Sequence, residues 1–131
     1  MYPITAIFAG LFTLYFLRLS MAVIRLRRSN KVALGAGGVQ ELEGAIRAHG
    51  NFAEYVPIGL ILMGLLESHG AHPALVAVLG GLLALGRVFH ARALSQANLK
   101  YRVRGMVLTF WTLVALAVLN IGFAVRIWIG V

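Results

Sequence analysis

Long apolar runs separated by short polar segments dominate the chain and predict four membrane-spanning helices. A helix needs about 20 mostly apolar residues to cross the hydrocarbon core of a bilayer. Four segments reach this length, at residues 3–24, 39–66, 73–90 and 106–129. The first is interrupted only by Arg18, and the second is polar in its first half. The pattern therefore predicts an all-α fold in one domain, an integral membrane four-helix bundle.

Composition strengthens this prediction and limits the chemistry. Of the 131 residues, 60% are hydrophobic and 12% are charged, whereas about a quarter of the residues in a typical soluble domain are charged. Lipid must therefore cover much of the surface. The chain has no cysteine, which excludes disulfides, thiolate metal sites and a cysteine nucleophile. Any thiol used by the protein must come from a bound molecule.

The charge of the chain is strongly positive and unevenly distributed. The net charge is +8, from 12 Lys and Arg against 4 Glu. In a membrane protein such an excess sets the orientation and meets anionic lipid headgroups, so we expect membrane lipid and no nucleic acid as a partner. Loop two, between the second and third predicted helices, has no Lys or Arg. Loop one, between the first two helices, and loop three, between the last two, are therefore predicted to be cytoplasmic and both termini non-cytoplasmic. The basic residues of loops one and three are Arg25, Arg27, Arg28, Lys31, Arg92, Lys100, Arg102 and Arg104.

A polar stripe on the second helix carries the candidate chemistry. Glu43 is followed by Arg47, Asn51 and Glu54 at offsets of 4, 8 and 11 residues, which project within a sector of about 80°. Such groups are costly in hydrocarbon and normally face a bundle interior or a water-filled cavity. They are more than helix cohesion needs, since a membrane hydrogen bond contributes only about 0.6 kcal/mol on average. The stripe therefore favours a binding or catalytic site, in which Glu54 is expected to be partnered by Asn51 and Arg47.

Further basic residues lie towards the same end of the bundle. Arg87 and His90 share a face near the cytoplasmic end of helix three, and Arg104 lies where helix four emerges. We expect Arg47, Arg87 and Arg104 to converge on one cytoplasm-facing site, balanced by acidic residues of helix two or by an anionic ligand. The alternative for Arg87 and Arg104 is that each extends to the lipid headgroups.

Histidines elsewhere do not predict a metal site. His69 and His72 lie three residues apart beside Glu67, but no third firm ligand accompanies them. His49 projects away from the polar stripe, and we interpret it as structural.

Residues 41–57 resemble helix two of the MAPEG superfamily, the membrane-associated proteins in eicosanoid and glutathione metabolism. The family pattern is E-x-x-x-R-x-x-x-N-x-x-E-x-x-P, and residues 86–90, G-R-V-F-H, resemble its helix-three signature. The resemblance covers essentially the whole chain and is closest to the small bacterial branch that includes the YecN-like proteins. The residues that match the helix-two pattern are Glu43, Arg47, Asn51, Glu54 and Pro57.

This resemblance implies a homotrimer in a bacterial inner membrane, with glutathione bound between neighbouring subunits on the cytoplasmic side. Arg104 is the residue expected to activate the thiol, with Arg102 as the alternative, and Glu43 is expected to be a structural polar residue. The glutathione-binding residues implied are Arg27, Arg47, Asn51, Glu54, Tyr55, Arg87 and His90.

The resemblance also implies an activity, with departures that bear on it. We expect a glutathione-dependent transferase or peroxidase that acts on lipophilic electrophiles, as in detoxification. The family's synthases have tyrosines on helix three where this chain has His90 and Leu94, and Gly105 offers no hydroxyl after Arg104. Whether the protein is an enzyme therefore stays open. The alternatives are a non-catalytic glutathione- or lipid-binding membrane protein and, less favoured, a small proton-coupled exporter.

Overall fold

The structure, a computed structural model, describes residues 1–95 and 99–130. It consists of four helices. They are α1 (Pro3–Asn30), α2 (Gln40–Ser68), α3 (Pro73–Ser95) and α4 (Leu99–Trp128). The predicted all-α fold with four helices is confirmed. Three of them, α1, α3 and α4, are long and apolar enough to cross a membrane. The remaining helix, α2, has 29 residues. The charged stripe in its first half lowers its mean hydropathy, so composition alone does not mark α2 as a membrane span.

Three helix ends lie more than one turn beyond the predicted limits. The prediction stopped where each apolar run stopped, at residues 24, 90 and 106, whereas α1, α3 and α4 continue through the basic segments. Arg and Lys are good helix formers, and they interact favourably with a helix C-terminus, as Arg27 and Arg28 do in the last turn of α1. The predicted third loop is therefore mostly helical, and its residues 96–98 lie outside the described part. The basic residues moved from this loop onto helices are Arg92, Lys100, Arg102 and Arg104.

The start of α1 is fastened to the end of α2. Pro3 opens the helix, and Tyr2 gives it no side-chain cap. The carboxylate of Glu67 supplies the cap instead, accepting hydrogen bonds from the backbone N–H of Ile4 at 3.0 Å and of Thr5 at 2.9 Å. A carboxylate also suits the positive end of the helix dipole. This contact joins two helices at the non-cytoplasmic end predicted from the loop charges.

The bundle is asymmetric in its packing. The most extensive interface joins α3 to α4, and α2 contacts all three other helices, whereas α1 contacts α2 and α3 but not α4 in the described residues. Buried apolar side chains form one cluster around Met63, Val76 and Leu116 and a second around Phe12, Phe52 and Leu83. The outer faces of α1 and α4 remain apolar and exposed, as expected of helices that face lipid.

Candidate functional site

The polar stripe of α2 faces outward from the helix bundle. The side chains of Glu43 and Arg47 are 61% and 71% exposed, and they form an i, i+4 ion pair with 4.0 Å between Oε1 and Nη2. Glu54 is exposed as well. The stripe therefore does not face the interior of its own bundle, because α2 buries the roughly opposite side. The buried residues of the first half of α2 are Leu42, Ala48, Phe52 and Val56.

Glu54 lacks the partners that the sequence predicted for it. Arg47 is paired with Glu43, and the Oδ1 atom of Asn51 accepts a hydrogen bond from Arg87. Within the described ranges, the carboxylate of Glu54 makes no hydrogen bond and no ion pair. One carboxylate of the stripe therefore has no partner within the described part of the chain.

Arg87 is the centre of a buried polar network. Its side chain is only 2% exposed. Nε donates to Oγ1 of Thr109 at 3.1 Å, Nη1 donates to the carbonyl and the side-chain oxygen of Asn51, and Nη2 points at Sδ of Met106 at 3.4 Å. The guanidinium also lies 5.2 Å from the centre of the Tyr55 ring. Arg87 thus joins α3 to both α2 and α4, and all these partners are neutral.

A close crossing of α3 and α4 makes this network possible. A Cβ atom on Gly105 would lie 2.7 Å from the backbone nitrogen of His90 and 2.9 Å from the carbonyl oxygen of Gly86. A Cβ atom on Gly86 would lie 2.6 Å from Oγ1 of Thr109. Both glycines are therefore needed for the backbones to approach so closely. The approach brings Thr109, which also donates to the carbonyl of Gly105 at 2.8 Å, within reach of Arg87.

The structure brings Asn51, Tyr55 and Arg87 together but leaves the other predicted arginines apart. Arg104 is exposed on α4, with its guanidinium 5.8 Å from the Tyr101 ring centre. Arg27 donates from Nη1 to the carbonyl oxygens of Ala33 at 3.2 Å and Gly35 at 2.9 Å. In the described part of the chain, Arg47, Arg87 and Arg104 therefore share no common partner.

The remaining candidates lie in different surroundings. His90 is buried, at 4% exposure, where α3 crosses α4, and Arg102 is exposed. Among the residues that the structure describes, no three His, Asp or Glu side chains are grouped so that they could hold a metal ion.

Sequence reasoning missed three partners within the bundle. Thr109 and Met106 complete the surroundings of Arg87, and nothing in an apolar run marks which of its neutral residues face a buried cation. Ser20 lies 3.0 Å from Nε2 of His49, whose ring packs on Phe16. This contact joins α1 to α2 and agrees with the structural interpretation of His49.

The fold and these contacts define a small, all-helical membrane protein in which a buried arginine supports an open polar helix face. The chain belongs to the MAPEG family, which it matches over residues 5–122. It is 36% identical over 120 residues to the inner membrane protein YecN of Escherichia coli strain K12, covering 92% of each chain. The same identity and coverage hold for the inner membrane protein YecN of Escherichia coli O6:H1.

Proposed function

We propose that the protein is a membrane-embedded, glutathione-dependent transferase or peroxidase that acts on lipophilic electrophiles as a homotrimer. The observation that carries this proposal is the outward-facing stripe of Glu43, Arg47 and Glu54 beside the buried network of Arg87. An arginine at the centre of a membrane helix costs about 2.5–3.5 kcal/mol on the insertion scale. An exposed stripe of this kind is stable in a bilayer only if a ligand, water or a second copy covers it.

The exposed face of α2 is suited to self-association. Along it, positions spaced alternately by three and four residues are polar in the first half and apolar in the second. This is the a/d spacing by which helices pack against one another. Copies packed along this face would cover its apolar half and bring the polar stripe against a neighbouring subunit. The positions are Arg47, Asn51, Glu54, Ile58, Ile61 and Leu65, the last three with 45%, 58% and 47% of their surface exposed.

The stripe is also complementary to the tripeptide. Glutathione has two carboxylates, one ammonium group and two peptide bonds. Arg47 matches a carboxylate, and Glu54, which has no partner within the described subunit, matches the ammonium group. Asn51 offers its amide to a peptide bond. Arg87 donates a hydrogen bond to the side-chain oxygen of Asn51 and makes a cation–π contact with Tyr55. Arg87 therefore acts here by positioning the binding residues.

Thiol activation is assigned to Arg104. A thiol with a pKa of about 8.5 is only about 3% ionised at pH 7, and a guanidinium that lowers the pKa by about 2 units raises the thiolate to about three quarters. Arg104 is exposed on α4 and so is accessible to a ligand held against a neighbouring subunit. The thiol proton leaves to water, and the thiolate sulfur forms a bond to an electrophilic carbon while the leaving group takes the electron pair. With a peroxide, two glutathione thiols are oxidised to one disulfide, and the peroxide is reduced to an alcohol and water.

Calorimetric titration of glutathione into the purified protein tests binding. Arg47→Ala removes a charge-assisted hydrogen bond worth about 1.5–3 kcal/mol and should weaken binding roughly 10- to 150-fold. Arg25→Ala removes the same charge from α1, outside the stripe, and should bind like wild type. Equal weakening by both variants would show that only overall charge matters.

Ultraviolet difference spectroscopy near 240 nm tests activation. Arg104→Ala should abolish the thiolate signal of bound glutathione while changing affinity only a few-fold. If wild-type protein binds glutathione without forming thiolate at pH 7, the non-catalytic binding protein is the better proposal. If Arg104→Ala keeps the full signal, Arg102 is the next residue to substitute.

Assembly and orientation have separate tests. Native mass spectrometry of the detergent-purified protein should give a threefold mass, and a stable monomer that still binds glutathione would refute a shared site. We also propose that both termini are non-cytoplasmic and that the site faces the cytoplasm. A reporter that is active only outside the cytoplasm should therefore be active when it is fused to the C-terminus. An inactive fusion would refute this orientation.

A further inference from the structure

The cytoplasmic end of α1 and the loop after it line a wide-open groove of about 410 Å³, which is separate from the α2 stripe. Four of its lining residues have the i, i+3, i+4, i+7 spacing of one helix face. Three of them, Ile24, Arg27 and Arg28, lie on α1, and the fourth, Lys31, directly follows it. The loop closes the other side with two small apolar residues. The full lining is Ile24, Arg27, Arg28, Lys31, Val32 and Ala33.

Backbone contacts hold this groove in shape. Lys31 adopts the left-handed conformation with φ of 54°, and its N–H and that of Val32 donate to the last carbonyls of α1 at 3.3 Å and 3.0 Å. Arg27 then fastens the loop by donating to the carbonyl oxygens of Ala33 and Gly35. Gly37, at φ of 57°, passes so close to Val32 that an added Cβ would lie 2.7 Å from its methyl group. The groove therefore exists before any ligand arrives.

The groove combines an apolar floor with a cationic rim. Ile24, Val32 and Ala33 supply the apolar surface, while Arg28 and Lys31 are exposed at the edge. None of its described lining residues is acidic. Arg27 is engaged with neutral carbonyls, so its positive charge is not cancelled. The groove also lies at the end of a helix that is apolar enough to cross a membrane, which is the depth of lipid headgroups and of the first acyl carbons.

We propose that this groove binds an anionic phospholipid, with the phosphate between Arg28 and Lys31 and an acyl chain along Ile24 and Val32. The charge sign, the apolar floor and the position at the membrane surface all match that ligand. A free inorganic phosphate would use the rim but not the floor. This inference does not depend on glutathione binding or on catalysis.

Native mass spectrometry, with the full-length protein in detergent titrated with phosphatidylglycerol or phosphatidylcholine, tests the proposal. We expect retention of phosphatidylglycerol in preference to phosphatidylcholine. A basic residue near an anionic lipid contributes about 1 kcal/mol, or roughly fivefold in affinity. Arg28→Ala combined with Lys31→Ala should therefore weaken binding of phosphatidylglycerol roughly 25-fold.

Two further variants separate a built site from diffuse attraction. Arg25→Ala removes a charge from the same stretch of α1 but outside the groove, and it should leave binding within about twofold. Ala33→Trp changes no charge but fills the groove, and it should weaken binding at least tenfold. The proposal is overturned if Arg25→Ala weakens binding by the roughly fivefold expected for each basic residue of the groove, or if Ala33→Trp has no effect. Displacement of phosphatidylglycerol by an equal concentration of inorganic phosphate would also overturn it, since the acyl chain would then add nothing to the affinity.

Discussion

Replacement of Arg87 by alanine is the sharpest test of the buried network. The substitution removes the donors to Thr109, to Asn51 and to the sulfur of Met106, together with the cation–π contact to Tyr55. No carboxylate is left unpaired, because the partners of Arg87 are neutral. The loss therefore measures how strongly one guanidinium holds three helices together.

The expected loss can be built from the individual contacts. Two cross-helix polar partners contribute about 0.6–1.7 kcal/mol each in a membrane protein, and a desolvated cation–π contact contributes about 2 kcal/mol. Relief of a buried charge offsets part of this sum. We expect Arg87→Ala to lower the free energy of unfolding by about 3 kcal/mol, at the low end of the roughly 3–5 kcal/mol that these contacts total. Loss of the Arg87 donor should also free Asn51 and weaken glutathione binding about tenfold, equivalent to about 1.4 kcal/mol.

Unfolding in mixed micelles with increasing SDS, followed by tryptophan fluorescence, measures the change. Arg87→Met is the companion variant, because it restores much of the packing without the donors. It should recover part of the stability yet bind glutathione as weakly as Arg87→Ala. Arg104→Ala is the control, since an exposed arginine over Tyr101 should contribute less than about 1 kcal/mol. A stability loss for Arg87→Ala no larger than that of Arg104→Ala would refute the network as described.

Two further substitutions test the contacts that hold the bundle. Gly105→Ala places a methyl group against the backbone of α3 and should cost about 1–3 kcal/mol of stability, whereas Gly122→Ala on the same helix meets open space and should be neutral or slightly stabilising in the same SDS unfolding assay. Glu67→Ala removes the cap of α1 and should cost about 0.5–2 kcal/mol. Hydrogen exchange of the Ile4 and Thr5 amides should accelerate in that variant but not in Glu41→Ala, and unchanged exchange would argue against the cap.

Much of the architecture follows from the sequence alone. The lengths of the apolar runs predict the four helices. Only the predicted helix ends differ from the observed ones, because basic residues beyond an apolar run, such as Arg27 and Lys100, still favour helix. The helix-two spacing places Glu43, Arg47 and Glu54 on one stripe, since that depends only on the helical repeat. Both conclusions rest on local geometry, which a single segment of chain determines.

Only the tertiary structure decided which way the stripe faces and what Arg87 contacts. In a soluble helix the apolar side marks the core, but a membrane helix is apolar towards lipid as well as towards protein. Leu42 and Val56 on the buried side of α2 are therefore no different in kind from Ile58 and Ile61 on the exposed side. The partners of Arg87 depend on how closely Gly86 and Gly105 let two distant segments approach, and the hydropathy of either segment carries no information about that approach.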